Sequence, residues 1–241
     1  MTERLWSHIR PQPTRVPYGR TEAMLGTIEK AGRVIALFTV ERPEWGVSEA
    51  AAQLRLPKSS VHALLRTLAA IGLLEQQRAA GRYRLGWALV THAHTLLSTT
   101  AYRPHALRAM RALASRYGET VQLATLSGGR VVTIDRIEAP QGVRRPASAR
   151  LPPPDTSAVG KVLTGVPAPP HAYDEGESDP EVCCVAAPLR GADGTVLAAL
   201  SLSAPRRRFE QRREDYTRAV VHAADDASER LRRASTDRSR G

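Results

Sequence analysis

With 241 residues, 42% of them hydrophobic, the chain is long enough for one large domain or two small ones and can bury a real core, which excludes a wholly disordered protein. Its 35 basic residues, only three of them Lys, outnumber 24 acidic ones and leave a formal charge of +11, which favours anionic partners without dictating a fold. No run approaches the ~18 consecutive apolar residues of a membrane span, the first residues lack the apolar stretch of a signal peptide, and the adjacent Cys183 and Cys184 can neither staple distant segments nor supply a four-ligand zinc site.

Residues 1–20 are rich in Pro and Arg and show no apolar period, so burial would not offset the entropy of ordering them, and they read as a loose basic arm. From residue 21 to 90 the pattern is that of one small domain. Thr27 can cap a helix whose Ile28, Ala31, Ile35 and Phe38 share a face before Pro43 stops it. Ser48 reads as the N-cap of a short Ala-rich helix, Glu49 to Leu54, broken by Arg55-Leu56-Pro57. The spacing predicts a third helix from Lys58 to about Ala70, with Val61, Leu64, Leu65, Leu68 and Ile71 on its apolar side and Gly72 at its end. Two strands follow, Leu73 to Gln77 and Arg82 to Leu85, joined by Arg78-Ala79-Ala80-Gly81, with Tyr83 and Leu85 on one face and Arg82 and Arg84 on the other. Helix, helix, turn, helix and hairpin make a winged helix-turn-helix.

Residues 87–103 read as mostly helical, with 91–103 as a linker, and a second domain covers 104–235, leaving 236–241 as a tail. Pro104 suits a first helical turn and Leu107, Met110, Leu113 and Ala114 give that helix its buried stripe. Strands at 121–126 and 131–137 flank the turn Ser127-Gly128-Gly129. A Pro-rich stretch, a short helix near 158–163 and an acidic loop at 174–181 come next. Strands at 182–187 and 195–203 flank Asp193-Gly194, and an Arg-rich helix runs from about Phe209 to Ala234. The whole is α+β.

Lys58, His62 and Arg66 fall four apart and form a cationic stripe on the third helix, away from its apolar side. Such a stripe alone is more often a solvated face. Behind a tight turn and beside a wing it has what a major groove needs, because the groove admits one helix and offers acceptors on guanine with phosphates alongside. Base-edge contact falls to His62 and Arg66. Phosphate positioning falls to Lys58, Ser59 and Ser60 at the helix N-terminus and to Arg82 and Arg84 on the wing, and Ser48 at the start of the preceding helix counts among the DNA-binding residues.

The block from Gly46 to Leu68, with Leu56-Pro57-Lys58-Ser59-Ser60-Val61-His62 at its centre, together with Gly72-Leu73-Leu74-Glu75 and Gly81-Arg82-Tyr83-Arg84-Leu85-Gly86, resembles the DNA-binding domain of the IclR family of bacterial transcriptional regulators. The likeness continues through Gly118 to Ala124, Ser157 to Lys161, Cys184 to Leu189 and Ala199 to Pro205, and covers about residues 22–233. It implies a GAF-like α/β effector domain at the C-terminus that binds a small molecule, often an organic or aromatic acid, and alters operator affinity. The family's polar pocket residues match here as Asp174, Cys184, Ser201 and Ser203. Strand alternation supports part of this independently, since Ser201 and Ser203 point to one face and Leu200 and Leu202 to the other, while only one of Cys183 and Cys184 can line the same cavity.

This chain departs from the family in two places. The segment between Lys161 and Asp174 is shortened, and Asp155, preceded by three prolines, stands where the family commonly has a His. A second buried carboxylate would repel an anionic ligand unless protonated or paired. Two readings follow: a regulator, homodimeric or homotetrameric, that binds double-stranded operator DNA under the control of a small-molecule effector, or an effector-independent DNA-binding protein whose truncated C-terminal domain only oligomerises. A third, enzymatic reading would make Cys184 a nucleophile, but no base stands near it, His171 being the closest His in sequence. The expected protein is cytoplasmic and nucleoid-associated, with no cofactor, no metal site and no membrane contact.

Overall fold

A computed structural model describes residues 26–77, 80–138, 154–165 and 167–238. The basic arm expected at 1–20 and most of the Pro-rich stretch lie outside these residues. The first helix, α1 (Gly26–Ile35), is followed by a two-residue strand β1 (Trp45–Gly46), then α2 (Val47–Leu54) and α3 (Lys58–Ala70). Strands β2 (Leu74–Gln77) and β3 (Arg82–Leu85) complete a three-stranded sheet of order β1-β3-β2, so the expected hairpin gains a third strand that pairs Trp45 with Tyr83. Val34, Phe38, Leu54, Val61, Leu65 and Tyr83 meet in one core.

Three details differ from expectation. Ile28 is 66% exposed, because the buried stripe of α1 runs through Ala31, Val34, Ile35 and Phe38 and leaves its first turn uncovered. Ile71 and Leu85 are likewise exposed, each at the last position of its apolar pattern, where the element has left the core. Ser48 is not the cap of α2: β1 keeps the chain extended through Gly46, which caps instead, and the Glu49 carboxylate accepts its N–H at 3.3 Å. Arg55 then takes φ 55°, the left-handed conformation that a tight helix-turn-helix corner demands.

Helix α4 (Ala88–Thr99) leads to α5 (Arg103–Tyr117), whose second residue is Pro104. A five-stranded antiparallel sheet follows, built from β4 (Thr120–Ser127), β5 (Arg130–Ile137), β6 (Ala172–Asp174), β7 (Val182–Arg190) and β8 (Val196–Pro205) in the order β5-β4-β8-β7-β6. Helices α5 and α7 (Arg206–Arg238) cover one face, where Met110, Leu123, Leu200, Phe209 and Tyr216 pack. The short α6 (Ala158–Thr164) covers the other through Ala158, Val159 and Val162 against Ala124, Ala186 and Ala199. Helix α7 starts three residues earlier than its apolar period suggests and loses helical geometry at Arg212, φ −128°. The fold is α+β, as expected.

Candidate nucleic-acid interface and effector face

Helix α3 separates its two faces cleanly. Val61 and Leu65 are fully buried, while Lys58, Ser59, His62 and Arg66 are exposed and Ser60 is half-buried. Four residues of helix place His62 and Arg66 ~6 Å apart along the axis, about the rise of one turn. No side chain caps the N-terminus, which follows Pro57, so the first amides of α3 are left to external acceptors.

The wing arginines are not simply solvated. Arg82 donates to both oxygens of Glu49 at 3.2 and 2.9 Å and to the carbonyl of Glu44 at 3.1 Å, while Gln77 donates to the Glu44 carboxylate at 2.7 Å. Arg42 also donates to Glu49, at 2.9 Å, and its guanidinium lies over the Trp45 ring. Glu49 thus joins the first turn of α2 to the wing, and the Arg82 hydrogen bond, then the Gly46 amide and Arg42, hold its carboxyl down at about 2. Arg84 makes a two-point contact with Glu75 at 3.0 and 2.8 Å. Ser48 is exposed in the first turn of α2. The Glu49 cluster was missed in the sequence, although a Glu three residues after a cap is a known helix-start signal.

In the second domain the register of the sheet brings the four expected effector residues to one face. Asp174 stands opposite Cys184, Cys184 opposite Ser203, and Ser203 opposite Thr120, in one row. Two residues along, Ser201 lies between Ala186 and Gln122, and Gln122 is opposite Arg136. This is the face that α6 covers. The Cys184 thiol donates to Ser203 Oγ at 3.1 Å. Cys183 points the other way into the α5–α7 core, and burial pushes its thiol up. His171 packs edge-on against Tyr173, whose partner Val185 belongs to the opposite core, so it does not approach Cys184.

Asp174 is buried, and its Oδ1 accepts the amides of Gly176, Glu177 and Ser178 at 3.2, 2.9 and 3.2 Å. One of its oxygens is therefore committed to the loop that follows it. Lys161 ties α6 to the same loop by donating to the Tyr173 carbonyl at 2.8 Å and to Glu177 at 2.7 Å. Asp155, expected as a second buried carboxylate, is exposed, because the Pro154 backbone lies against Gly160 and turns the next residue outward. Among the described residues no group of three His, Cys, Asp or Glu is placed to hold a metal ion, and no helix is long and apolar enough to cross a membrane.

Known proteins match both halves. The family model described as the IclR helix-turn-helix domain matches residues 27–78, and that of the bacterial transcriptional regulator IclR C-terminal domain matches 94–168 and 155–229. XynR, an HTH-type transcriptional regulator of Escherichia coli strain K12, is 28% identical over 217 residues, 75% of this chain and 86% of that protein. An IclR family transcriptional regulator from Brucella abortus superposes with a TM-score of 0.74 at 20% identity, covering 90% of this chain and 99% of that one. An IclR homologue from Microbacterium hydrocarbonoxydans, complexed with 4-hydroxybenzoate, superposes with a TM-score of 0.71 at 23% identity, covering 85% and 98%. These two structures share the fold.

Proposed function

The chain belongs to the IclR family of bacterial transcriptional regulators, and from that premise we propose that α3 reads an operator in the major groove while a small molecule on the α6 face of the second domain sets the affinity. The observation that carries this reading is the division of α3, whose cationic edge is fully presented while its apolar edge anchors the helix. His62 and Arg66 take base edges. Lys58, Ser59, Ser60 and the amides of the first turn take phosphate, with Ser48 alongside. Arg82 and Arg84 take part by exchanging Glu49 and Glu75 for phosphate oxygens. The protein acts as a homodimer or homotetramer, because two reading helices one turn of duplex apart, ~34 Å, match a palindromic site. Exposed apolar side chains on α1 and α4, Ile28, Val90 and Leu96, support a subunit contact there.

The relatives are regulators, and no step of chemistry is assigned to Cys184. The short connection from Gly165 to His171 favours the second reading, a C-terminal domain that oligomerises without a ligand. The test selects genomic fragments on the purified protein, sequences them, and measures affinity for the recovered site by fluorescence anisotropy. His62→Ala with Arg66→Ala should weaken that site about 100-fold, since each lost base contact costs ~1–3 kcal/mol, and should leave weak binding to unrelated duplex. Unchanged affinity for the site in a folded double variant would overturn the assignment of α3.

A further inference from the structure

We infer that the second domain carries a DNA-contacting surface of its own, a trough between α5 and α7 that takes the sugar-phosphate backbone of the duplex flanking the operator, whatever its sequence. This surface adds to the reading of α3 and requires only that the chain binds DNA. The two helices lie side by side in opposite directions. Tyr117 at the end of α5 donates to Asp215 in the first third of α7 at 3.1 Å, while His105 and Arg108 near the start of α5 share a cavity with Glu229, Arg230 and Arg233. That cavity, about 420 Å³, meets a second of about 620 Å³ at Asp226, and the two make one trough along the helix pair. From His105 to Tyr117 it runs ~18 Å at about 1.5 Å of rise per residue.

The charge of the trough selects its occupant. Five guanidiniums line it, those of Arg108, Arg116, Arg218, Arg230 and Arg233, against three carboxylates. Each carboxylate already has a donor within the helix pair: Tyr117 for Asp215, Arg230 for Asp226 at 2.8 Å, and Arg233 for Glu229. Arg108, Arg116 and Arg218 are exposed and form no ion pair among the described residues, with Arg116 lying over the Tyr117 ring. Arg111, one turn from Arg108 on the outer half of α5, is exposed in the same way, and α5 carries no Asp or Glu that would oppose an anion. The exposed Glu214 and Asp225 of α7 lie outside the lining. Cations at both ends of the trough are further apart than a compact anion can reach, whereas one DNA strand places a phosphate every ~3.4 Å of duplex axis and offers about five over this length. Guanidiniums engage phosphate oxygens through paired N–H donors, and the small side chains of Ala109, Ala112, Ala219 and Ala223 between them let a backbone approach closely.

The test compares two duplexes carrying the site recovered by genomic selection, one trimmed to the ~20 base pairs that two half-sites span and one extended to about 80. Should the selection yield no preferred site, unrelated duplexes of the same lengths serve, because the contact is independent of sequence. Arg108→Gln, Arg111→Gln, Arg116→Gln and Arg218→Gln combined should weaken the long duplex about tenfold or more and lower the slope of log affinity against log salt by about three, with the short duplex and the melting temperature unchanged. Arg130→Gln, Arg207→Gln, Arg212→Gln and Arg232→Gln combined remove the same charge from exposed arginines outside the trough and should leave both affinities within about twofold of wild type. Photocrosslinking from phosphates in the flanks of the long duplex should label peptides of α5 and α7 in the wild-type protein, and it decides the matter if the trough variant does not fold. Unchanged affinity for the long duplex, an equal loss on both duplexes, an equal loss in the control variant, or flanks that label neither helix would overturn this surface. None of these results bears on the assignment of α3, which is tested at His62 and Arg66.

Discussion

Glu49 shows how much one side chain can organise in a domain of this size. It sits in the first turn of α2, where the helix dipole favours an anion, and it gathers Arg82 from the wing and Arg42 from the segment before β1. Both guanidiniums and the Gly46 amide depress its carboxyl to about 2 from an ordinary 4.5. A carboxyl lowered in the folded state contributes stability that is complete above its unfolded value and is lost as pH falls towards the folded one. Glu49→Gln should therefore lower the melting temperature at pH 7, and the gap to wild type should close between about pH 4.5 and pH 2. Melts recorded across that range decide it, and a gap independent of pH would mean that the residue acts by shape and not by charge. The same variant releases Arg82, so it also reports whether the wing arginine works on DNA or on the fold: if Arg82 is a phosphate contact held in check, non-specific duplex affinity rises in Glu49→Gln and its salt dependence steepens by about one counterion.

At the scale of elements, glycines mark where two pieces of chain must touch. Gly86 follows β3 and donates to the Leu73 carbonyl at 2.9 Å, and a Cβ there would stand 2.2 Å from the Gly72 carbonyl oxygen. Gly32, inside α1, would place a Cβ in open space. Gly86→Ala should cost about 1–3 kcal/mol by forcing the wing away from the end of α3, and Gly32→Ala should gain about 0.5–1 kcal/mol because Ala is the better helix former. Urea unfolding of the pair separates the effects, and equal outcomes would refute the packing argument. These elements also show what could be read from sequence. Helix α3 was legible to the residue because Pro57 and Gly72 bracket a regular apolar period. Ile28, Ile71 and Leu85 were misplaced because periodicity says which side of an element is apolar and not where its cover ends. Strands β1 and β6 hold two and three residues, too few to carry any alternation, and both exist only because a longer neighbour pairs with them. Ser201 and Ser203 were legible as a shared face by simple alternation, whereas Arg136 and Gln122 enter that face only through cross-strand register. That three amides donate to one oxygen of Asp174 was not legible either, since those partners are backbone.

For the whole molecule, the unanswered surface is α4. None of its residues is buried, and Val90 and Leu96 are exposed at 45% and 67%, with Trp87 just before it and Ile28 on α1 also open to water. A helix that keeps apolar side chains on its surface, with none of its residues fully buried by the described residues, is one that a second subunit can cover. The electrostatics point the same way, because α4 carries no Asp, Glu, Lys or Arg that would oppose an apolar contact between copies. In the proposed dimer, effective concentration would link assembly to function: with one reading helix docked, the second would meet its half-site as an intramolecular partner, which multiplies affinity about 10²–10⁴-fold without any new contact to DNA. Val90→Asp with Leu96→Asp should therefore shift sedimentation to the monomer and weaken binding to a full palindromic site at least about 100-fold, while affinity for an isolated half-site stays as it was. The half-site measurement is what makes the variant informative. Loss at the half-site as well would trace the defect to a damaged reading head, and a double variant that remains dimeric with full operator affinity would place the subunit contact elsewhere than α4.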